Sequence, residues 1–240
     1  EDDEKYTLSI ERSRSGRFVY IYLQSTITTE VRYLDWADPF MPPQVAIARQ
    51  DGHEYAIEDD GGRFILRTND AAPDFRLVEV AIERVSERAC WQEILPSRSG
   101  VILTDCLVFP DCLVVEERVA GLLQVRIIDR QGDTRHLLHR AQDAASLWLD
   151  ANADSSLGFL RYAWGSLTQP TVRERIRLAD HEVAVLRIDP VGGTYRFADY
   201  EVQRCNLPAR DGTNVPVTLL RRKTTRLDGT APLVLTAYGA

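Results

Sequence analysis

Apolar and polar residues alternate in short runs along most of this chain. The runs are FVYIYL (18–23), EVRYLDW (30–36), RFILRT (63–68), DFRLVEV (74–80), DCLVVEE (111–117), LLQVRIID (122–129) and FLRYAW (159–164). Each is rich in β-branched and aromatic residues and is bounded by Gly, Asp, Asn or Pro, so the period of two predicts antiparallel strands joined as hairpins. The best helical candidate is RAQDAASLWLDA (140–151), which reads equally as a loop leading into a strand. After Asp189 the pattern changes. Residues 190–199 carry Gly and Pro and predict a connection, while 200–207 and 213–223 predict a hairpin about the turn PARDG (208–212). The unbroken apolar run at 232–237 predicts a fully buried strand.

These runs repeat. The hairpins begin at Phe18, Phe64, Cys112 and Phe159, spacings of 46, 48 and 47 residues. The second strand of each unit carries an apolar residue followed by arginine: Val31-Arg32, Phe75-Arg76, Val125-Arg126 and Val172-Arg173. A unit of this length has room for four short strands, the content of one β-propeller blade. A β-sandwich also strings short strands together but has no reason to keep a constant period. The fold class is therefore mainly β, with about four propeller blades over residues 1–189.

Composition narrows the function classes. The chain has 240 residues, 44% of them hydrophobic, enough for one large domain or for one domain and a piece of another. A net charge of −7 with scattered arginines argues against a nucleic-acid footprint. No apolar stretch approaches the roughly 20 residues of a membrane helix. Four cysteines (Cys90, Cys106, Cys112, Cys205) without C-x-x-C spacing suggest neither a zinc site nor a disulfide framework, so a reducing cytoplasmic compartment is expected. The abrupt charged start and the apolar stop read as internal cuts.

Candidate chemistry is sparse. No G-x-S-x-G occurs; Ser166 follows a glycine but precedes Pro170, and reads as a turn hydroxyl. His136 and His139 lie three apart in what reads as strand or loop, so solvated histidines are expected rather than a metal site. His53 and His181 read as surface residues in polar turns. The pairs Glu116-Glu117 and Asp59-Asp60 raise a glycosidase-type reading, but adjacent strand residues face opposite ways, and these charges read mostly as blade edges.

The motifs EVRYLDW, HEYAIE, RFILRTND, LVVEER, LRYAWGSLTQP and ARDGTNVPV resemble, in order and spacing, those of the oligopeptidase B branch of the prolyl oligopeptidase family of serine peptidases. The likeness covers nearly the whole chain and is strongest at 27–36, 63–70, 113–118, 159–170 and 209–222. It implies a seven-bladed propeller capping an α/β-hydrolase domain. Residues 1–189 would be the later blades, 190–199 the interdomain connection, and 200–240 the first strands of the hydrolase sheet. The implied partners are short peptides cut after Lys or Arg, together with the missing blades and hydrolase domain; no cofactor and no metal are expected. The resemblance places Tyr238 as an oxyanion-stabilising hydroxyl, although Thr236 and Ala237 stand where the family has Tyr-Gly. The Ser, Asp and His of the triad would lie outside these residues, so the chain alone is expected to be inactive. A stand-alone propeller acting as a binding scaffold is the alternative.

Overall fold

A computed structural model describes residues 3–140 and 144–237. Four antiparallel meanders follow one another. The first contains β1 (Thr7–Arg12), β2 (Phe18–Gln24), β3 (Thr29–Asp35) and β4 (Gln44–Val45). The second contains β5 (Tyr55–Asp59), β6 (Arg63–Thr68), β7 (Arg76–Ala81) and β8 (Gln92–Leu95). The third contains β9 (Val101–Val108), β10 (Leu113–Val119), β11 (Leu122–Ile128) and β12 (Thr134–Leu138). The fourth contains β13 (Ser146–Leu149), β14 (Phe159–Gly165), β15 (Val172–Arg177) and β16 (Val183–Ile188). The seven alternating runs are the second and third strands of these blades, the strands paired on both edges. The roughly 47-residue beat is the repeat of whole blades.

The alternation sorts side chains between neighbouring blades. On β6, Phe64 and Leu66 join Phe18, Tyr20 and Val31 of the first blade, while Ile65 between them joins Leu103 and Leu113 of the third. On β10 the same division holds, Leu113 and Val115 facing the second blade and Val114 facing Leu160 and Tyr162 of the fourth. A wedge in the middle of the row is thus apolar on both faces. Phe64 is wholly buried, 5.3 Å from the ring of Phe18 and edge-on to Tyr33 at 5.0 Å. The first wedge differs: Leu8 and Ile10 of β1, on the face turned away from the second blade, are exposed.

Tyrosine hydroxyls carry the polar links across the first seam. Tyr20 donates to Asp59 at 2.9 Å, and the Val31 amide donates to Tyr55 Oη at 2.7 Å. The repeated arginine has one role throughout. From the third strand it pairs with a carboxylate of its own blade: Arg32 with Glu30, Arg76 with Asp70, Arg126 with Glu117 and Arg173 with Asp189.

One reading left open is decided and three expectations are corrected. Of the helix and the loop leading into a strand that 140–151 allowed, the structure has the strand: β13 places Leu147 in the core between the third and fourth blades; residues 141–143 lie outside the described residues. The run 232–237 has no assigned secondary structure and is exposed, since no described strand pairs with it. His53 is buried, stacked on Tyr55 and hydrogen-bonded to Thr68 Oγ1 at 2.9 Å. Glu117 and Asp59 are buried rather than blade-edge charges; Arg98 and Arg126 both donate to Glu117, and Asp59 accepts from Tyr20.

Residues 200–222 form a separate hairpin, β17 (Tyr200–Pro208) with β18 (Asn214–Arg222). It meets the third blade where Arg204 donates to the carbonyl of Ala120. Tyr195 donates to the Thr168 carbonyl at 2.5 Å and fixes the preceding connection to the fourth blade.

Removing the aromatic at the first seam leaves a cavity that β-sheet wedges cannot close without shifting. Phe64→Ala is expected to lower stability by about 3–5 kcal/mol, read from urea unfolding. Leu8→Ala, on the open face, is expected to change it by no more than about 0.5 kcal/mol.

Candidate functional site

The first strands of successive blades, β1, β5 and β9, and the loop after β13 border a cavity of about 550 Å³. Blade periodicity sets what reaches it. Glu11, Glu58, Asp105 and Asn152 recur every 47 residues and occupy corresponding places on its wall. Glu11, Glu58 and Asp105 lie on the first strands of their meanders and Asn152 in the loop after β13.

Arg14 crosses this space from the β1–β2 turn. Its Nε donates to the Asn152 carbonyl at 2.6 Å and its Nη1 to the Val108 carbonyl at 2.9 Å, while the guanidinium lies 4.6 Å over the Phe109 ring. Ser155 Oγ donates back to the Arg14 carbonyl at 3.5 Å. One side chain thereby ties the first blade to the third and fourth. Arg67 of β6 enters the same wall, donating to the Leu103 carbonyl at 3.3 Å and lying over Phe75.

The wall is poorly solvated. Burial, opposed by Arg14 and reinforced by Asp59, Asp105 and Glu11, pushes the Glu58 carboxyl up to about 8. Burial also raises Asp105 and lowers Arg14 and Arg67. Glu58 Oε2 and Arg14 Nη2 have no hydrogen-bond partner among the described residues. Cys106, on the same wall, is raised well above a normal thiol by burial, which makes it a poor nucleophile.

A second groove, of about 660 Å³, lies at the opposite end of the blades. Strand direction alternates in a meander, so β1–β2 turns and β2–β3 turns emerge at opposite ends. Arg14 belongs to the first kind. Gly121 and Ser166, which line the second groove with Arg204 and Pro216 of the β17–β18 hairpin, belong to the second.

The residues singled out in the sequence are scattered. Tyr238 lies outside the described residues. Ser166 is a turn hydroxyl, accepting from the amides of Thr168 and Gln169 at 3.2 and 3.0 Å. Glu116 and Glu117 have separate partners: Glu116 accepts from Thr104 Oγ1 and the Leu149 amide, Glu117 from Arg98 and Arg126. His136 stacks on His181 at 4.3 Å, and no group of three or more metal-ligating side chains occurs among the described residues. Arg14, Arg67, Glu58 and Asp105 were not singled out. The signal that finds the two carboxylates is the same 47-residue period, applied to the first strand of each unit instead of the second.

The buried carboxyl has a consequence for stability. Unfolded, Glu58 titrates near about 4.3; folded, it is held at about 8. Between these values the native state keeps a proton that the unfolded chain has released, so stability is greatest below the lower value and falls as pH rises to the upper one. Glu58→Gln removes this contribution. Its melting temperature is expected to exceed wild type by several degrees at pH 9 and by progressively less towards pH 5, as followed by circular dichroism. A difference independent of pH would contradict the assignment.

Residues 1–189 match the family described as "Prolyl oligopeptidase, N-terminal beta-propeller domain". The chain is 33% identical over 243 residues to dipeptidyl aminopeptidase BI of Pseudoxanthomonas mexicana, covering 100% of this chain and 33% of the relative. It is 26% identical over 241 residues to protease 2 of Moraxella lacunata, covering 100% of this chain and 34% of that protein. It thus spans about a third of the length of these curated relatives. Oligopeptidase B from Leishmania major superposes with a TM-score of 0.86 at 19% identity, over 95% of this chain and 33% of that one, a likeness of fold. With a family match over most of its length and four consecutive four-stranded wedges, the chain belongs to the prolyl oligopeptidase family, whose N-terminal β-propeller domain its residues 1–189 match.

Proposed function

We propose that these 240 residues are the propeller-bearing part of a cytoplasmic serine oligopeptidase that hydrolyses short peptides after Lys or Arg, with the propeller controlling which substrates enter. The observation that carries the reading is the family match over residues 1–189, combined with a cavity among the blades lined by polar groups. Relatives named as a dipeptidyl aminopeptidase and a protease agree with peptide hydrolysis. The preference for basic residues rests on the motif resemblance to the oligopeptidase B branch. In this reading 190–199 is the interdomain connection and 200–240 supplies the first strands of the hydrolase sheet. Tyr238 donates its hydroxyl to the oxyanion of the tetrahedral intermediate, where a preorganised donor acts on charge that develops only in the transition state.

Chromogenic peptides ending in Lys or Arg, and matched peptides ending in Ala or Phe, test the reading. The 240-residue chain is expected to give no turnover, since binding groups without a nucleophile cannot form an acyl-enzyme. A longer chain that includes the hydrolase nucleophile is expected to cleave the basic peptides preferentially. In that chain Tyr238→Phe is expected to lower kcat about 100-fold with KM little changed. Turnover by residues 1–240 alone would overturn the assignment, and equal cleavage of all four peptides would overturn the basic preference. Lack of any hydrolysis by the longer chain would favour a binding scaffold.

A further inference from the structure

The fourth blade turns unlike faces to its two sides. Leu160, Tyr162 and Ile176 are buried against the third blade. The residues that alternate with them point the other way and carry Arg161, Arg173, Arg175 and Arg177, with Arg187 beside Arg173 on β16. Arg173 and Arg187 share Asp189 at 2.8 and 3.0 Å, and Arg177 pairs with Asp180 and Glu182, each at 2.7 Å. Arg161 and Arg175 are left over. They stand directly opposite each other in the β14–β15 ladder, both are exposed, and neither forms an ion pair with a described residue. Asp154 borders the same hollow, but its Oδ1 is engaged by the Ser156 hydroxyl and amide at 2.6 and 2.8 Å. Like charges set directly opposite work against an antiparallel pair. A carboxylate seated between the two guanidinium groups removes that repulsion and accepts charge-assisted hydrogen bonds from both.

The surroundings of the pair select what brings the carboxylate. Leu157 and Leu186, 48% and 49% exposed, line a hollow of about 90 Å³ with Arg161, Arg175 and the half-buried Phe159, over whose ring the Arg175 guanidinium lies at 4.7 Å. The hollow is far smaller than the roughly 300–1,000 Å³ of a small-ligand site and suits a single side-chain group. Arginine and an aromatic ring among apolar side chains are the make-up of the centre of a protein–protein contact. A nucleic acid gains nothing from the leucines, and the net charge of −7 repels a polyanion at range. Position agrees with composition. The faces that the second and third blades turn to their successors are covered by polypeptide, with Ile65 and Val114 in those contacts.

We propose that this face of the fourth blade is a docking surface for an acidic polypeptide, which seats an Asp or Glu carboxylate between Arg161 and Arg175 and rests apolar neighbours on Leu157, Phe159 and Leu186. Asn152, whose carbonyl accepts from Arg14, borders the hollow, so the surface lies at the blade end remote from the β17–β18 hairpin. The inference goes beyond the peptidase reading and does not rest on it. Either can fail without the other.

The experiment titrates the capped peptide acetyl-Val-Thr-Glu-Thr-Leu-amide into the isotope-labelled 240-residue chain and follows the arginine Nε–H resonances. Saturable binding that moves the Arg161 and Arg175 signals is expected, and added salt is expected to weaken it. The same peptide with Gln in place of Glu is expected to bind about fivefold more weakly, and Arg161→Gln or Arg175→Gln to weaken the Glu peptide about threefold. Arg135→Gln, on the outer strand of the third blade, removes the same charge elsewhere and is expected to leave binding unchanged. No saturable binding, equal binding of the Gln peptide, an equal loss with Arg135→Gln, or equal affinity for acetate would overturn the proposal. So would a thymidine oligonucleotide that binds more tightly than the peptide and loses affinity in the same two variants, which would make this a phosphate surface. The comparison of the two peptides needs no variant and decides the matter even if a variant misfolds.

Discussion

The structure depends on burying the middle strands of each wedge on two faces at once. A blade sheet is a single layer, and one layer alone has no interior. Phe64 and Ile65 are neighbours in sequence yet belong to different cores, one shared with the first blade and one with the third. The same is true of Val114 and Val115. Each seam is thus built from two chain segments about one repeat apart, and each of the two middle blades is held by both of its neighbours. The outer face of the first wedge, with Leu8 and Ile10 exposed, is the same kind of surface with no described neighbour on it.

Around those seams, polar groups are used for geometry. Tyr20, Tyr22 and Tyr55 bury their rings with the apolar cluster and spend their hydroxyls on partners across the first seam or at the blade connection. This satisfies groups whose burial would otherwise be costly and fixes the register of one wedge against the next. Glu117, wholly buried, depends on Arg98 and Arg126 together, and breaking such a set leaves an uncompensated charge.

The cavity wall follows a different rule. Here the first strands bring ionisable groups together without pairing them: Arg14 is bound to carbonyls, and Glu58 keeps an oxygen free. The resulting pKa displacement and the unused hydrogen-bonding capacity share one origin, which is burial without a partner. That combination is more typical of surfaces that receive a ligand than of surfaces that only hold a fold together.

Local pattern was enough to locate strands, because a period of two with β-branched and aromatic residues admits few alternatives, and the recurrence of that pattern was enough to identify blades. The motif resemblance extended this to the family. What the pattern left open were contacts whose partners lie far apart in sequence. The apolar content of 140–151 left a helix and a loop leading into a strand equally open because Leu147 packs against residues of the preceding blade, and a period count takes no account of them. His53 and Glu117 read as surface groups because a polar residue is buried only when a partner exists, and Thr68, Arg98 and Arg126 become partners only after the strands align. The sequence by itself determined the strands, their repeat and the wedge. Only the tertiary structure decided that Arg14 reaches residues 94 and 138 positions away and meets Glu58 across a shared cavity, because the curvature of stacked blades, and not distance along the chain, sets which groups converge on an axis.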